Sequence, residues 1–392
     1  MRLPVRRRLA AMTKTADVVI IGGGVQGCSI AYNLAKRGCK NVVLFEKGYL
    51  ASGGTGRCGA GVRHQFGTEV NCRLAIENIK SFEHLNEELG YDGDVEFEQG
   101  GYLLIAYSEG QLTQFKKNVA LQRSLGIDSY ILTPQEVAEV VPALNLEGVL
   151  GASYCPRDGH LNPFHTTQAY ANAAERLGAR IHTYTEVTGI KTKDGRVTGV
   201  ATDKGEVETR VVINAAGGHG AVIGKMAGLD IPMYSERHQI LVTEPVEHIL
   251  DPMVLCFDDG TYWKQTPHGS FLMGIGDPRE KKGLETRSSW QFLREMAQKI
   301  TRHMPVLGKV RVVRQWAGLY DITPDSQVIL GPTPIEGFYL DVGWSGHGFQ
   351  FAPSVGRVMA EMVLGQEPFI DVDVLGHDRF ARGALIPEPA CV

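Results

Sequence analysis

Residues 16–21 (ADVVII) form an unbroken apolar run, the pattern of a strand buried on both faces of a parallel sheet. Glycines follow, and then CSIAYNLAKRG (28–38) repeats its apolar positions at helical spacing and stops at Gly38. NVVLFEK (41–47) is a second buried strand. Together they predict a β-α-β unit with a right-handed crossover. EVNCRLAIENIKSFEHLNEEL (69–89) predicts a long amphipathic helix. Farther along the pattern changes. GGYLLIAYS (100–108), RHQILVTEP (237–245), GTYWKQTP (260–267), SFLMGIGDP (270–278) and VRVVRQWAGLY (310–320) mix apolar and polar positions. Turn residues rather than helices separate them, which predicts a mostly antiparallel sheet. Between these runs, residues 162–190 and 208–218 return to helix and buried strand. The expectation is an α/β chain. A Rossmann-type unit takes residues 15–95, 150–230 and 325–392, interleaved with an α+β unit from 96–149 and 231–324. Residues 1–14 are expected to be a flexible tail.

Bulk composition narrows the picture. The length of 392 residues fits two units rather than one core. A net charge of −4, from 40 basic and 44 acidic residues, gives no electrostatic footprint for nucleic acid. No apolar run approaches membrane-spanning length. The seven cysteines are odd in number and include no CxxC pair. That argues for a reducing compartment, the cytoplasm, and against a disulfide framework or a metal site. The opening MRLPVRRRLAA holds four arginines and no acid, and reads as a tail or an over-early start before Met12.

Two glycine clusters carry the candidate chemistry. The first is Gly22-x-Gly24-x-x-Gly27, set between strand and helix. Gly22 permits the tight turn, Gly24 lets backbone approach a pyrophosphate, and Gly27 lets helix and strand pack closely. Glu46 ends the next strand, where a carboxylate accepts hydrogen bonds from a ribose. The loop YLASGGTGRCGAGVRHQF (49–66) runs on from that strand with Ser52, Thr55, Arg57 and Arg63. Its length suits an extended dinucleotide that continues past the pyrophosphate towards a flavin. The second cluster is GWSGHGFQFAPSVG (343–356), which leads into a helix near Ser354.

On DVVIIGGGVQGCSIAYNLAKRG, GGTGRCGAGVRHQFGTE, VVINAAGG, GLYDITPDSQVILGPTP and GWSGHGFQFAPSVG, in that order, the chain resembles the D-amino-acid oxidase superfamily of FAD-dependent oxidoreductases. Within it the chain is most similar to sarcosine oxidases, including the β subunit of the heteromeric type, glycine oxidase and the proline dehydrogenase β subunit. The resemblance implies a glutathione-reductase-like FAD domain and a substrate domain. It implies FAD contacts from Gly22, Gly24, Gly27, Glu46, Lys47, Ser52, Thr55, Gly56, Arg57, Val187, Ala216 and Gly217, and from Gly346, His347, Gly348, Phe349 and Gln350 under the flavin ring. The two clusters would thus hold opposite ends of one long cofactor. The covalent attachment positions of some members fall on Arg57 and Gly318, so non-covalent FAD is expected. Where heteromeric relatives attach FMN, between His160 and His165, this chain has Phe164, so no second flavin is expected.

Flavin-dependent amine oxidation needs a carboxylate-binding cation, an apolar or aromatic slot and a firmly held cofactor. Arg63 matches the family's carboxylate arginine, since a guanidinium binds a carboxylate in two-pronged fashion. Gln350 replaces the family's second cation, a lysine, and Tyr320 replaces the arginine of glycine oxidase. Tyr262 resembles the substrate tyrosine, and alternation places Lys264 on its face of the strand. His347 is a further catalytic candidate. Leu272 stands where monomeric sarcosine oxidases carry their oxygen-activating lysine, leaving Lys264 as a substitute. The expected activity is oxidation of the C–N bond of an N-substituted glycine or related secondary amino acid, with sarcosine, iminodiacetate, N-alkylglycines and proline in scope. Electrons would go to O2, giving H2O2, or to an accepting partner or partner subunit. Oxidation of a 2-hydroxy acid or glycerol phosphate, and a flavoprotein subunit of a heteromeric dehydrogenase, are the alternatives.

Overall fold

The computed structural model describes residues 13–390. The expectations for the basic N-terminus, Met12 and Cys391 fall outside them, and the six described cysteines are free thiols. At Lys14 the chain is already tied in, because its carbonyl accepts from Glu208 N at 2.9 Å.

Three buried strands build the centre of the first sheet. Val18–Ile21 pairs in parallel with Val42–Phe45 on one side and Val212–Asn214 on the other. Arg180–His182 extends one edge in parallel, while Phe338–Val342 and Ile329–Pro332 extend the other. Every residue of the two leading strands is buried, as a sheet covered on both faces requires. Helices Val25–Lys36, Pro163–Arg176 and Ala352–Val363 pack together on one face. A three-stranded antiparallel sheet, Val187–Lys193, Arg196–Thr202 and Gly205–Glu208, joins the opposite core. The predicted 69–89 helix breaks at His84 (φ −124°, ψ 13°) into Glu69–Glu83 and Leu85–Glu88.

The second sheet has eight strands. Thr261–Gln265, Ser270–Ile275, Tyr234–Pro245 and Val312–Ile322 run antiparallel in that order. Met253–Cys256 joins them to Tyr102–Ala106 through one parallel pairing. Gly151–Cys155, inside the segment expected to belong to the nucleotide unit, pairs with Tyr102–Ala106 in this sheet instead. Alternation divides the faces of the Thr261–Gln265 strand. Trp263 enters the core under helix Trp290–His303, while Tyr262 joins a cluster on the other face with Tyr102, Met253 and Leu255.

Candidate active site

The first glycine cluster is crowded where the chain must be tight and open where a ligand would lie. Gly22 has φ +119°, and a Cβ there would sit 2.3 Å from the Ala215 carbonyl oxygen. A Cβ on Gly27 would fall 2.0 Å from the Gly22 carbonyl oxygen. A Cβ on Gly24 would meet only Thr55 Oγ1, at 3.0 Å. Gly24, the N-cap residue, has no side chain of its own to cap the Val25–Lys36 helix and no acid occupies the first turn, so its positive end favours an anion. Glu46 gathers the loop around it. Its carboxylate accepts from Gly23 N (2.7 Å), Gly48 N (2.6 Å) and Ser52 Oγ (3.3 Å). Thr55 Oγ1 accepts from Val25 N at 3.2 Å. This arrangement fits the pyrophosphate and ribose of a dinucleotide.

The remaining cofactor candidates lie on the segments around this turn and on the second glycine cluster. Lys47 Nζ lies 2.8 Å from His219 Nε2, beyond Ala216 and Gly217, and Val187 opens the neighbouring small sheet. A Cβ on Gly56 would strike the Ala51 carbonyl oxygen at 2.3 Å. Arg57 donates to the carbonyls of Ser52 (3.0 Å) and Ala317 (2.7 Å). A Cβ on Gly318 would lie 3.1 Å from that of Arg57, so the two positions that match the covalent attachment sites of some relatives are neighbours. In the second cluster, Gln26 Nε2 donates to the Gly348 carbonyl at 2.7 Å, joining both clusters directly. The helix expected near Ser354 begins at Ala352 after a 3₁₀ turn over Gly348–Phe351. Its start is set by Asn78, whose side-chain oxygen accepts from Ser354 N at 2.8 Å.

Arg63, Tyr262, His347, Phe349 and Gln350 line one cleft with Cys58, Tyr102, His238, Met253, Leu255 and Tyr320. Arg63 is buried and braced from several sides. Its backbone N donates to Gln350 Oε1 at 2.8 Å, and its guanidinium lies 4.2 Å from the Phe66 ring centre. Nη1 donates to the Gln65 carbonyl and Nη2 to the Ala390 carbonyl at 2.5 Å. The next two residues are locked by the buried Asp158, whose carboxylate accepts from His64 N (2.8 Å) and Gln65 Nε2 (3.0 Å). Asp158, far away in sequence, carried no motif.

His238 is the principal lining residue that the sequence left unmarked. It stacks on Tyr320 with ring centres 4.0 Å apart, and on Tyr262 at 5.5 Å. His238 Nε2 lies 3.1 Å from the Tyr262 hydroxyl. Gly274 leaves room for that hydroxyl, since a Cβ there would be 2.4 Å from it. Burial lowers the His238 pKa to about 3, and burial with the Arg63 charge lowers His347 to about 3. Both rings are neutral at ordinary pH. Lys264 is set apart. It is absent from the lining of the cleft, and its Nζ donates to the Leu161 carbonyl at 3.4 Å. Burial lowers its pKa to about 8. Its cross-strand partner is Leu272.

Among the described residues two groups combine His, Cys and acid: His64–Cys155–Asp158, buried throughout, and Cys256–Asp259–His303, in which Asp259 is half-buried. Hydrogen bonding accounts for each approach, with His64 Nδ1 2.6 Å from Asp158 Oδ1 and His303 Nε2 3.0 Å from Asp259 Oδ2. No described helix is long and apolar enough to cross a membrane.

A nucleotide-binding turn and an aromatic cleft with a buried arginine, joined by glycine-rich segments, define a dinucleotide-dependent oxidoreductase. Residues 17–362 match the family described as FAD dependent oxidoreductase, and the chain belongs to that family. It is 32% identical over 381 residues to a sarcosine oxidase subunit beta of Rhodobacter capsulatus, covering 96% of this chain and 91% of that one. Among solved structures it is similar to an L-proline dehydrogenase from P. horikoshii, with 36% identity and a TM-score of 0.90 over 96% of this chain and all of that one. A glycine oxidase from Geobacillus kaustophilus gives 25% identity and a TM-score of 0.86, covering 94% and 99%.

Proposed function

We propose that the chain oxidises the C–N bond of a secondary amino acid, an N-substituted glycine or a proline-like ring, with FAD held non-covalently. The observation that carries this reading is Arg63. It is the one arginine or lysine among the residues lining the cleft, buried beside Tyr262 and the His238–Tyr320 stack. FAD, when bound, would supply the two-electron oxidant for the C–N bond.

The residues of the chain do the rest. Arg63 takes the carboxylate through charge-assisted hydrogen bonds. The Tyr262 hydroxyl, fixed by His238, and the apolar Met253, Leu255 and Phe349 define the slot for the nitrogen substituent. Neutral His238 and His347 leave the charge of Arg63 undivided. A buried cation also makes an ammonium costly nearby, which favours the unprotonated amine that oxidation requires. The names of the sarcosine, proline and glycine relatives support the substrate class. A single cation is sparse for the dianionic phosphate of glycerol phosphate, which speaks against that alternative. The free thiols support action in a reducing compartment, the cytoplasm.

The test is anaerobic bleaching of the flavin absorbance in the holoenzyme. Sarcosine, N,N-dimethylglycine, L-proline, iminodiacetate, glycolate and glycerol 3-phosphate serve as the panel. Stoichiometric bleaching by at least one of the amino acids, and by neither glycolate nor glycerol phosphate, is expected. The reverse selectivity would replace the amine reading with the hydroxy-acid one.

A further inference from the structure

The C-terminal segment reaches Arg63 by a route that none of the glycine motifs explains. Arg379 anchors its start. The guanidinium donates to both carboxylate oxygens of Asp325, at 2.9 and 3.0 Å, with both side chains fully buried. The same loop then catches the chain again, because Glu388 N donates to the Asp325 carbonyl at 3.1 Å. The Glu388 side chain is buried, and it has no cation as a hydrogen-bond partner among the described residues. It accepts from Gly67 N (2.7 Å), Thr68 Oγ1 (2.7 Å), Asn71 Nδ2 (2.9 Å) and Ala390 N (3.0 Å). Gly67 is required for this seat, since a Cβ there would lie 2.3 Å from Pro389 Cγ. Two residues beyond Glu388, the Ala390 carbonyl accepts from Arg63 Nη2.

We propose that residues 386–390 belong to the carboxylate site, with Glu388 as a positioning residue that acts through the Ala390 carbonyl on Arg63. The proposal rests on the reading of Arg63 as the carboxylate ligand. Of the five N–H donors of a guanidinium, two are engaged by the Gln65 and Ala390 carbonyls, one local in sequence and one from the C-terminal tail. These two fixed acceptors, with the Phe66 face, define the plane in which the other donors meet a substrate. The carboxylate of Glu388 ties two segments together: Gly67 and Thr68, four and five residues beyond Arg63 and just before the Glu69–Glu83 helix, and the tail that touches Arg63. A loosened tail frees the guanidinium to rotate, and two-pronged recognition tolerates little misplacement.

The experiment is a double-mutant cycle on the FAD-loaded enzyme with Arg63→Ala, Glu388→Ala and the pair, and Glu388→Gln as the conservative variant. Anaerobic rapid mixing gives the Kd and the limiting reduction rate separately for whichever panel amino acid bleaches the flavin fastest. Glu388→Ala is expected to raise Kd about tenfold, with a smaller change in the limiting rate. Glu388→Gln, which keeps one acceptor oxygen, should recover part of that loss. The pair should match Arg63→Ala alone, since Glu388 has nothing to position once the guanidinium is gone. Melting of the flavin-free variants controls for a general loss of structure. If the two substitutions multiply in Kd, Glu388 acts independently of Arg63 and the proposal fails. It fails as well if Arg63→Ala raises Kd while Glu388→Ala does not. If Arg63→Ala itself leaves Kd unchanged, or if no panel amino acid bleaches the flavin, the reading of Arg63 has failed and the proposal falls with it.

Discussion

Burial sets the charge of several groups in and near the cleft, residue by residue, and the signs differ. His238 and His347 have folded pKa values of about 3, below the ordinary histidine value. Their contribution to stability is present above roughly pH 6.5 and is lost as pH falls towards the folded value. Asp321 and Asp341 behave oppositely. Burial raises them to about 6 and about 7, and the Asp321 charge adds to the shift at Asp341. Their contribution is present below roughly pH 4 and is lost as pH rises through those values. Asp341→Asn separates the two effects, because it keeps an oxygen for Trp344 Nε1, now 2.8 Å from Oδ1, and removes the charge. The variant should gain about 1–3 kcal/mol at pH 8 and little below pH 5, read from Tm across pH. An equal gain at both values would assign the effect to packing instead. Arg63→Ala should raise the substrate Kd more than tenfold, since losing one partner of a buried charged pair costs about 2–5 kcal/mol, while FAD content is retained. Short motifs single out Arg63, Tyr262, His347 and Gln350, which the structure gathers around one cleft, whereas Lys264, named with them, lies outside that lining. His238 and Asp158 were not legible, because their partners are strands and turns distant in sequence.

At the scale of elements, the two outer glycines of the first cluster and the middle one do different work, and substitution can tell them apart. A methyl on Gly27 collides with the Gly22 carbonyl, between helix and strand. Gly27→Ala should therefore lower Tm with or without FAD. A methyl on Gly24 meets only the Thr55 hydroxyl, on the side where a pyrophosphate would sit. Gly24→Ala should leave the flavin-free Tm close to wild type and raise the Kd for FAD, measured by fluorescence quenching on reconstitution. Equal losses of apo-protein stability in both variants would remove the distinction. The β-α-β start was readable because continuous apolar runs mark parallel strands and glycine marks the turn. The second sheet was readable as antiparallel from its alternation. Its parallel joint between Met253–Cys256 and Tyr102–Ala106 was not, since local pattern fixes which face is buried and not which strand lies alongside. The same limit applies to Gly151–Cys155.

At the scale of the whole molecule the question is how the cofactor is held and where its electrons leave. Arg57 and Gly318 adjoin one another and neither offers a nucleophile, so acid precipitation should release all the flavin into the supernatant. Yellow protein on a denaturing gel would contradict this. The exit of electrons turns on one pair across the second sheet. Leu272, where the resemblance places an oxygen-activating lysine, is paired in register with Lys264. Cross-strand partners share a face, so Lys264 brings an amine to the neighbouring column of that face. It is buried, its pKa is lowered to about 8, and its Nζ is engaged by the Leu161 carbonyl rather than exposed in the cleft. A charge placed there can still favour reduction of oxygen through space, because a dry site screens little. Slow but measurable H2O2 production is therefore expected, with an artificial dye accepting electrons faster. Lys264→Met should slow reoxidation of the reduced flavin by oxygen in stopped flow and leave anaerobic reduction by substrate nearly intact. Because the amine titrates near pH 8, wild-type reoxidation should also slow as pH rises through that value, and the variant should lose this dependence. If reoxidation is unchanged in the variant at every pH, Lys264 serves only to tie its strand to Leu161. If the wild-type enzyme forms no H2O2 at all, its electrons pass to a partner, and the dehydrogenase reading replaces the oxidase one.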